Sequence, residues 1–158
     1  NKMYSTLEKI KSLLKDKFQG TIKDFYIDDP NLIPLDNLPC IAIVPVSTDI
    51  NIADTGRDQF TFTINVFLII SAKQELDKYK GEMVGTQFLT KTMEEKDDSG
   101  NLKDSTILYV LRKNLELGTN WSILNVSRIE YLTRARPEQA ITKEASCRIT
   151  VSRINVRP

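Results

Sequence analysis

Apolar residues recur along the start of the chain at the spacing of an amphipathic helix. Met3, Leu7, Ile10, Leu14 and Phe18 lie three or four positions apart, with lysine and glutamate between them. A glycine two positions later is suited to a C-terminal cap. The spacing therefore predicts a helix that covers one side of the core.

The clearest strand pattern lies in residues 57–70. Apolar residues alternate there with threonine and asparagine, and from Val66 onward both alternating sets are apolar. Residues 40–53 are also β-branched and apolar, and a polar turn separates the two runs. We expect a long antiparallel hairpin with a buried inner end and a projecting polar tip. Pro45 predicts an edge strand or a bulge in its first strand.

Two helical regions follow the hairpin. Residues 74–96 carry apolar positions at helical spacing and end at a polar, glycine-containing turn. A second helix is expected to begin at a cap formed by Asp104 or Ser105 and to end near Gly118. Ahead of the hairpin, residues 21–27 predict only a short strand.

The last part of the chain predicts a second hairpin. Residues 121–132 and 144–152 have strand-like alternation and flank a polar loop. The alternation slips between Val126 and Ile129, which indicates a bulge. The whole order predicts an α+β fold in one domain, residues 1–158, with a mostly antiparallel sheet built from two hairpins and one face covered by helices.

The composition excludes several kinds of catalytic and metal-binding chemistry. The 158 residues include no histidine, which excludes serine–histidine catalysis and histidine-ligated zinc. Cys40 and Cys147 stand far apart in sequence and are expected to be buried thiols. No motif for phosphate or metal binding occurs, and no apolar run reaches the ~20 residues of a membrane span. We expect no enzyme activity, no catalytic residue, no metal or other cofactor and no membrane partner.

Charge is unevenly distributed. Residues 1–100 carry 12 Lys and Arg against 16 Asp and Glu, whereas residues 101–158 carry 10 against 5. Seven of the eight arginines lie in the second part. Such polarity can steer self-association or approach to nucleic acid, and it equally fits a solvated strand face.

The chain resembles the tail terminator (tail-completion) proteins of long-tailed bacteriophages along essentially its whole length. The likeness rests on the order of elements and on four segments. These are the opening helix, the strand entry LPCIAIVP (38–45), the strand TFTINVFLII (61–70) and the hairpin IEYLTRARPEQAITKEASCRITVSRI (129–154).

This resemblance implies a structural virion protein that is assembled in the host cytoplasm. Such proteins form a ring, usually of six subunits, on the last ring of the tail tube, stop tube polymerisation and face the neck and connector proteins. DNA passes transiently through the lumen. A neck or head–tail joining protein, or a tail tube subunit, is the alternative, and a small nucleic-acid-binding domain is a further one.

Four residues at the hairpin tip are candidates for the subunit interface: Asp49, Asp54, Arg57 and Asp58. Their acidic groups are expected to face the arginine-rich C-terminal strands of an adjacent subunit. Reversing the charges of Asp54 and Asp58 together is expected to weaken the ring.

Arg134 and Arg136 are candidates for contact with the lumen or the tube, because they lie in the polar loop of the second hairpin. Strong DNA binding is not expected of a conduit, since each phosphate contact adds a salt-dependent attraction. A solvated turn accounts for the same two arginines.

Overall fold

The computed structural model describes residues 2–72, 84–136 and 140–157, and within these it contains three α-helices and six strands. The elements are α1 (Lys2–Phe18), β1 (Asp24–Tyr26), β2 (Cys40–Asp54), β3 (Arg57–Ser71), α2 (Val84–Glu94), α3 (Ile107–Lys113), β4 (Glu116–Gly118), β5 (Trp121–Ala135) and β6 (Ile141–Val156). Two short 3-10 turns, Pro30–Leu32 and Leu35–Asn37, lie between β1 and β2.

The six strands form one sheet in the order β1-β2-β3-β6-β5-β4. β1 runs parallel to β2, and the other four pairings are antiparallel. The protein is therefore of mixed α and β structure, as expected, but its sheet is mixed. The parallel pair arises because the connection through the two 3-10 turns returns the chain to the same end of the sheet.

Both predicted strand irregularities are confirmed. The register between β2 and β3 shifts between Pro45 and Ser47, where the proline has no N–H to donate. The register between β5 and β6 shifts between Ser127 and Ile129, and the extra residue Arg128 has a φ of 52°. This left-handed backbone lets β5 bend while its following residues keep their faces.

Two hydrophobic clusters lie on opposite sides of the long strands. The main cluster joins apolar side chains of the three helices to alternate residues of β3 and β6, among them Phe62, Ile64 and Val66. We call this side the core face and the side of Thr61, Thr63 and Asn65 the polar face. A smaller cluster lies on the polar face at the inner end of β2 and β3, under residues 33–38: Ile33, Leu38, Cys40, Ala42 and Ile69.

The helices agree in part with the sequence pattern. The first helix is confirmed as α1. The predicted helix at 74–96 includes α2, and its positions 74–83 lie outside the described residues. The predicted caps of the next helix are wrong, because the Thr106 hydroxyl oxygen accepts the hydrogen bond from the Tyr109 N–H at 3.1 Å. That helix ends at Lys113.

Candidate functional site

The outer half of β2 forms a free edge of the sheet. β1 pairs only with residues 40–42 of β2, so among the described residues no strand lies beside residues 43–54 on that side. Three large apolar side chains in this stretch are exposed: Val46, Ile50 and Ile52, the last at 76%. A free edge with exposed apolar side chains is a ready template for pairing with another strand.

The charged candidates at the hairpin tip are engaged mainly within their own chain. The Arg57 guanidinium lies 2.6 Å from the Asp54 carboxylate, and Arg157 lies 3.0 Å from Asp58. The hydrogen bond from Arg57 holds the pKa of the Asp54 carboxyl below its ordinary value. β6 runs beside β3 as far as the tip, which brings Arg157 to Asp58.

This arrangement changes the expected role of the tip. The structure does bring Asp54, Arg57 and Asp58 together, but an arginine of the same chain occupies the position expected for a neighbouring subunit's arginine. Asp49 lies farther down β2 and is exposed. Within the described part of the chain it has no ion-pair partner, so it is the candidate that remains open to a neighbour.

A second free edge lies at the opposite side of the sheet, on β5. β4 pairs with residues 121 and 122, and the Ile123 N–H donates to the Leu115 carbonyl oxygen. On that side, residues 124–135 have no neighbouring strand in the described ranges. Leu124, Tyr131 and Leu132 are exposed there. The sequence did not predict this edge, because the edge is free only where the short strand β4 does not reach along β5.

Arg136 is not a surface residue. Its guanidinium is buried, donates from Nε to the Thr142 hydroxyl at 3.1 Å and from Nη1 to the Pro30 carbonyl oxygen, and lies 3.4 Å from the Glu144 carboxylate. Its side chain is only 5% exposed. The expectation that Arg136 contacts a lumen or tube is therefore not supported, because its charge is neutralised and its donors are used inside the chain.

Arg134 shares the same carboxylate. Its Nε and Nη2 donate to the two oxygens of Glu144 at 2.8 and 3.1 Å, and Nη1 donates to the Asn31 side chain at 3.0 Å. The pairing with Glu144 raises the pKa of Arg134. Its guanidinium retains partial exposure, so the prediction of an external contact stays open for Arg134 alone. The main role visible for both arginines is to hold the segment around residues 30 and 31 against β5 and β6.

A polar groove of about 240 Å³ runs over the polar face beside this cluster. Arg128, Arg134 and Arg148 line it together with Asn65 and Glu130. All three cations are already partnered, since Arg128 pairs with Glu130 at 2.5 Å, Arg134 pairs with Glu144 at 2.8 Å and Arg148 donates to Asn65 at 3.1 Å. The groove can therefore offer weak, exposed cation contacts.

The two cysteines are free and buried, as expected. Burial raises the pKa of both the Cys40 and the Cys147 thiol to about 12. Within the described ranges, no group of three or more acidic or thiol side chains is placed to hold a metal ion. No α-helix in this part of the chain has the length and apolar character needed to cross a membrane.

The most prominent chemical features are thus the two free strand edges with their exposed apolar side chains. Comparison with protein-family models and with curated proteins finds no match to this chain.

Proposed function

We propose that this chain is a structural virion protein that forms a ring at the head-proximal end of a phage tail tube, ends tube polymerisation and joins the tail to the neck. The proposal includes the interpretation of the sheet as two hairpins with helices over one face. Its partners are further copies of itself, the tube protein and the neck or connector proteins, with DNA passing through the lumen.

The observation that carries this proposal is the pair of free edges at opposite sides of one sheet. Along their outer sides, β2 and β5 each have twelve residues, 43–54 and 124–135, with no neighbouring strand among the described residues. A surface that differs at its two ends favours head-to-tail contacts, which close into a ring when the rotation between copies permits. The resemblance to tail terminators supplies the place of that ring in the virion.

A neck protein or a tube subunit is the alternative within the same class. Either would use the same edges for side contacts, but a tube subunit would also stack on itself without limit. Stacking, not ring formation, therefore separates the candidates.

Electron microscopy of the purified protein, with and without tail tubes assembled from their own subunit, tests the proposal. Rings that cap tube ends and limit tube length support the terminator function. Extended tubes built from this chain alone would transfer it to the tube subunits. Monomers that ignore tubes would refute the virion assignment, and salt-dependent binding to DNA would then be the property to measure.

A further inference from the structure

We infer that residues 47–52 of β2 pair antiparallel with residues 129–135 of β5 from a second copy of the chain. This inference rests on the proposed function and specifies its side contact. The free edge of β2 in one subunit is then covered by the free edge of β5 in the neighbouring subunit.

Strand direction permits this pairing. Four long strands lie side by side in the order β2-β3-β6-β5, and each is antiparallel to the next. Because the number is even, β2 and β5 run in opposite directions. When a second copy is placed beside the first by a rotation about an axis along the strands, its β2 lies antiparallel to the first copy's β5. The sheet then continues across the boundary with the pattern that it has inside each subunit.

Bulges set which residues can pair. Residues 47–52 lie between the register shifts at Pro45–Ser47 and Ile52–Asp54, and residues 129–135 follow the shift at Ser127–Ile129. At about 3.3 Å per residue, the two regular segments have similar lengths of about 20 and about 23 Å. Outside them the bulges turn each edge away from a straight partner.

The faces of the two segments match. Ile50 lies opposite Phe60 within the subunit, which places Ile50 and Ile52 on the core face. Tyr131 lies opposite Ala145, which places it on the same face of β5. A continuous sheet therefore brings the exposed isoleucines beside the exposed tyrosine and removes apolar surface from water on both sides.

The charges of the two edges favour pairing of β2 with β5 over pairing of two β2 edges. Residues 43–54 contain two aspartates, Asp49 and Asp54, and no lysine or arginine. Residues 124–135 contain Arg128 and Arg134 against one acid, Glu130. Within the paired segments, residues 47–52 carry Asp49 and residues 129–135 carry Glu130 and Arg134. Pairing two β2 edges would place Asp49 of one copy near Asp49 of the other, whereas β2 against β5 places Asp49 beside a segment without net charge.

Crosslinking between introduced cysteines tests the pairing. Asn51→Cys and Leu132→Cys place one thiol on each edge, both on the polar face, since Asn51 lies opposite Gln59 and Leu132 opposite Glu144. A short bifunctional maleimide then joins neighbouring copies without requiring one register. The native Cys40 and Cys147 are buried, so the unchanged protein is the unreactive control.

The variant with both cysteines is expected to give a ladder of products at multiples of 18.0 kDa that ends at the ring size. Each single variant alone is expected to stay uncrosslinked, and a mixture of the two single variants should stop at two chains. Dimers from either single variant would overturn the inference in favour of like-edge pairing. Failure of the double variant to crosslink at its highest attainable concentration would also overturn it.

Two surface variants separate edge pairing from a general loss of apolar surface. Ile50→Lys adds a charge to the free β2 edge and should reduce the crosslinked product about tenfold or more. Val156→Lys changes a comparably exposed residue on β6, which lies at neither edge of the sheet, and should leave the yield unchanged. Equal yields from both variants would contradict the inference.

These results remain distinct from those that test the proposed function. Rings that form without crosslinks would refute this pairing but not the proposed function. A complete ladder of crosslinked products, from rings that do not cap tubes, would confirm the pairing and refute the terminator function.

Discussion

Glu144 has a buried carboxylate, and removing its charge is expected to destabilise the fold. Its side chain is 1% exposed and is held by Arg134 through two hydrogen bonds and by Arg136 at 3.4 Å. Glu144→Gln keeps the shape of the side chain and removes its charge. Two guanidinium groups then share a neutral amide, and Arg136 in particular stays buried without its counter-ion.

The expected loss follows from burial. Removing one partner of a buried ion pair costs about 3–5 kcal/mol, because the remaining charge has no solvent to compensate it. The Arg134 side chain is 29% exposed, so water screens part of its share and the lower end of that range applies. We therefore expect the free energy of unfolding to fall by about 3 kcal/mol. For a domain of this size that corresponds to a decrease in Tm of about 6–12 °C.

Urea denaturation followed by circular dichroism measures this change, with the m-value used to check that both proteins unfold as one unit. Glu130→Gln is the matched control, because Glu130 pairs with Arg128 at 2.5 Å but both side chains are at least half exposed. It should cost no more than about 1 kcal/mol. Equal effects of the two substitutions, or a loss below about 1 kcal/mol for Glu144→Gln, would refute the reasoning.

Three further predictions concern single side chains. Cys40 and Cys147 should resist thiol reagents at pH 8 in the native protein and react after unfolding in urea, and rapid native labelling would contradict their burial. Asp54 should titrate below an ordinary aspartate in NMR, so that its contribution to stability is complete above the ordinary pKa and disappears as the pH falls through the lowered one. Arg57→Gln should return that pKa towards the ordinary value, and an unchanged pKa would show that Arg57 is not its cause. Thr106→Ala should lower the free energy of unfolding by about 1 kcal/mol in urea, while Thr106→Ser retains most of the cap and provides the comparison.

The local sequence pattern was sufficient to predict features that depend only on neighbouring residues in the chain. The alternation around Val66 indicated a strand buried on both faces, and Val66, Leu68 and Ile69 are fully buried. The bulges near Pro45 and Arg128 were also visible, since a proline and a slip in alternation both act within one strand. The amphipathic spacing of α1 predicted its bounds to within one residue.

Features that depend on distant segments could not be predicted in this way. Glu144 alternates with apolar residues, a pattern that favours an exposed face, yet Arg134, Arg136 and the segment around Pro30 bury it. A glutamate is rarely buried without a partner, and nothing local identifies Arg134 and Arg136 as that partner. The parallel pairing of β1 was equally hidden, because three residues are too few to carry a pattern.

The position of β6 has a consequence for how the protein is made. β6 is the last of the described strands to leave the ribosome, yet it lies between β3 and β5 and pairs with both along nearly its whole length. Until residues 141–156 are synthesised, β3 presents an apolar edge with no neighbour, which is a site for chaperone binding or aggregation. A chain that stops before β6 therefore cannot build the four-stranded unit that carries both free edges.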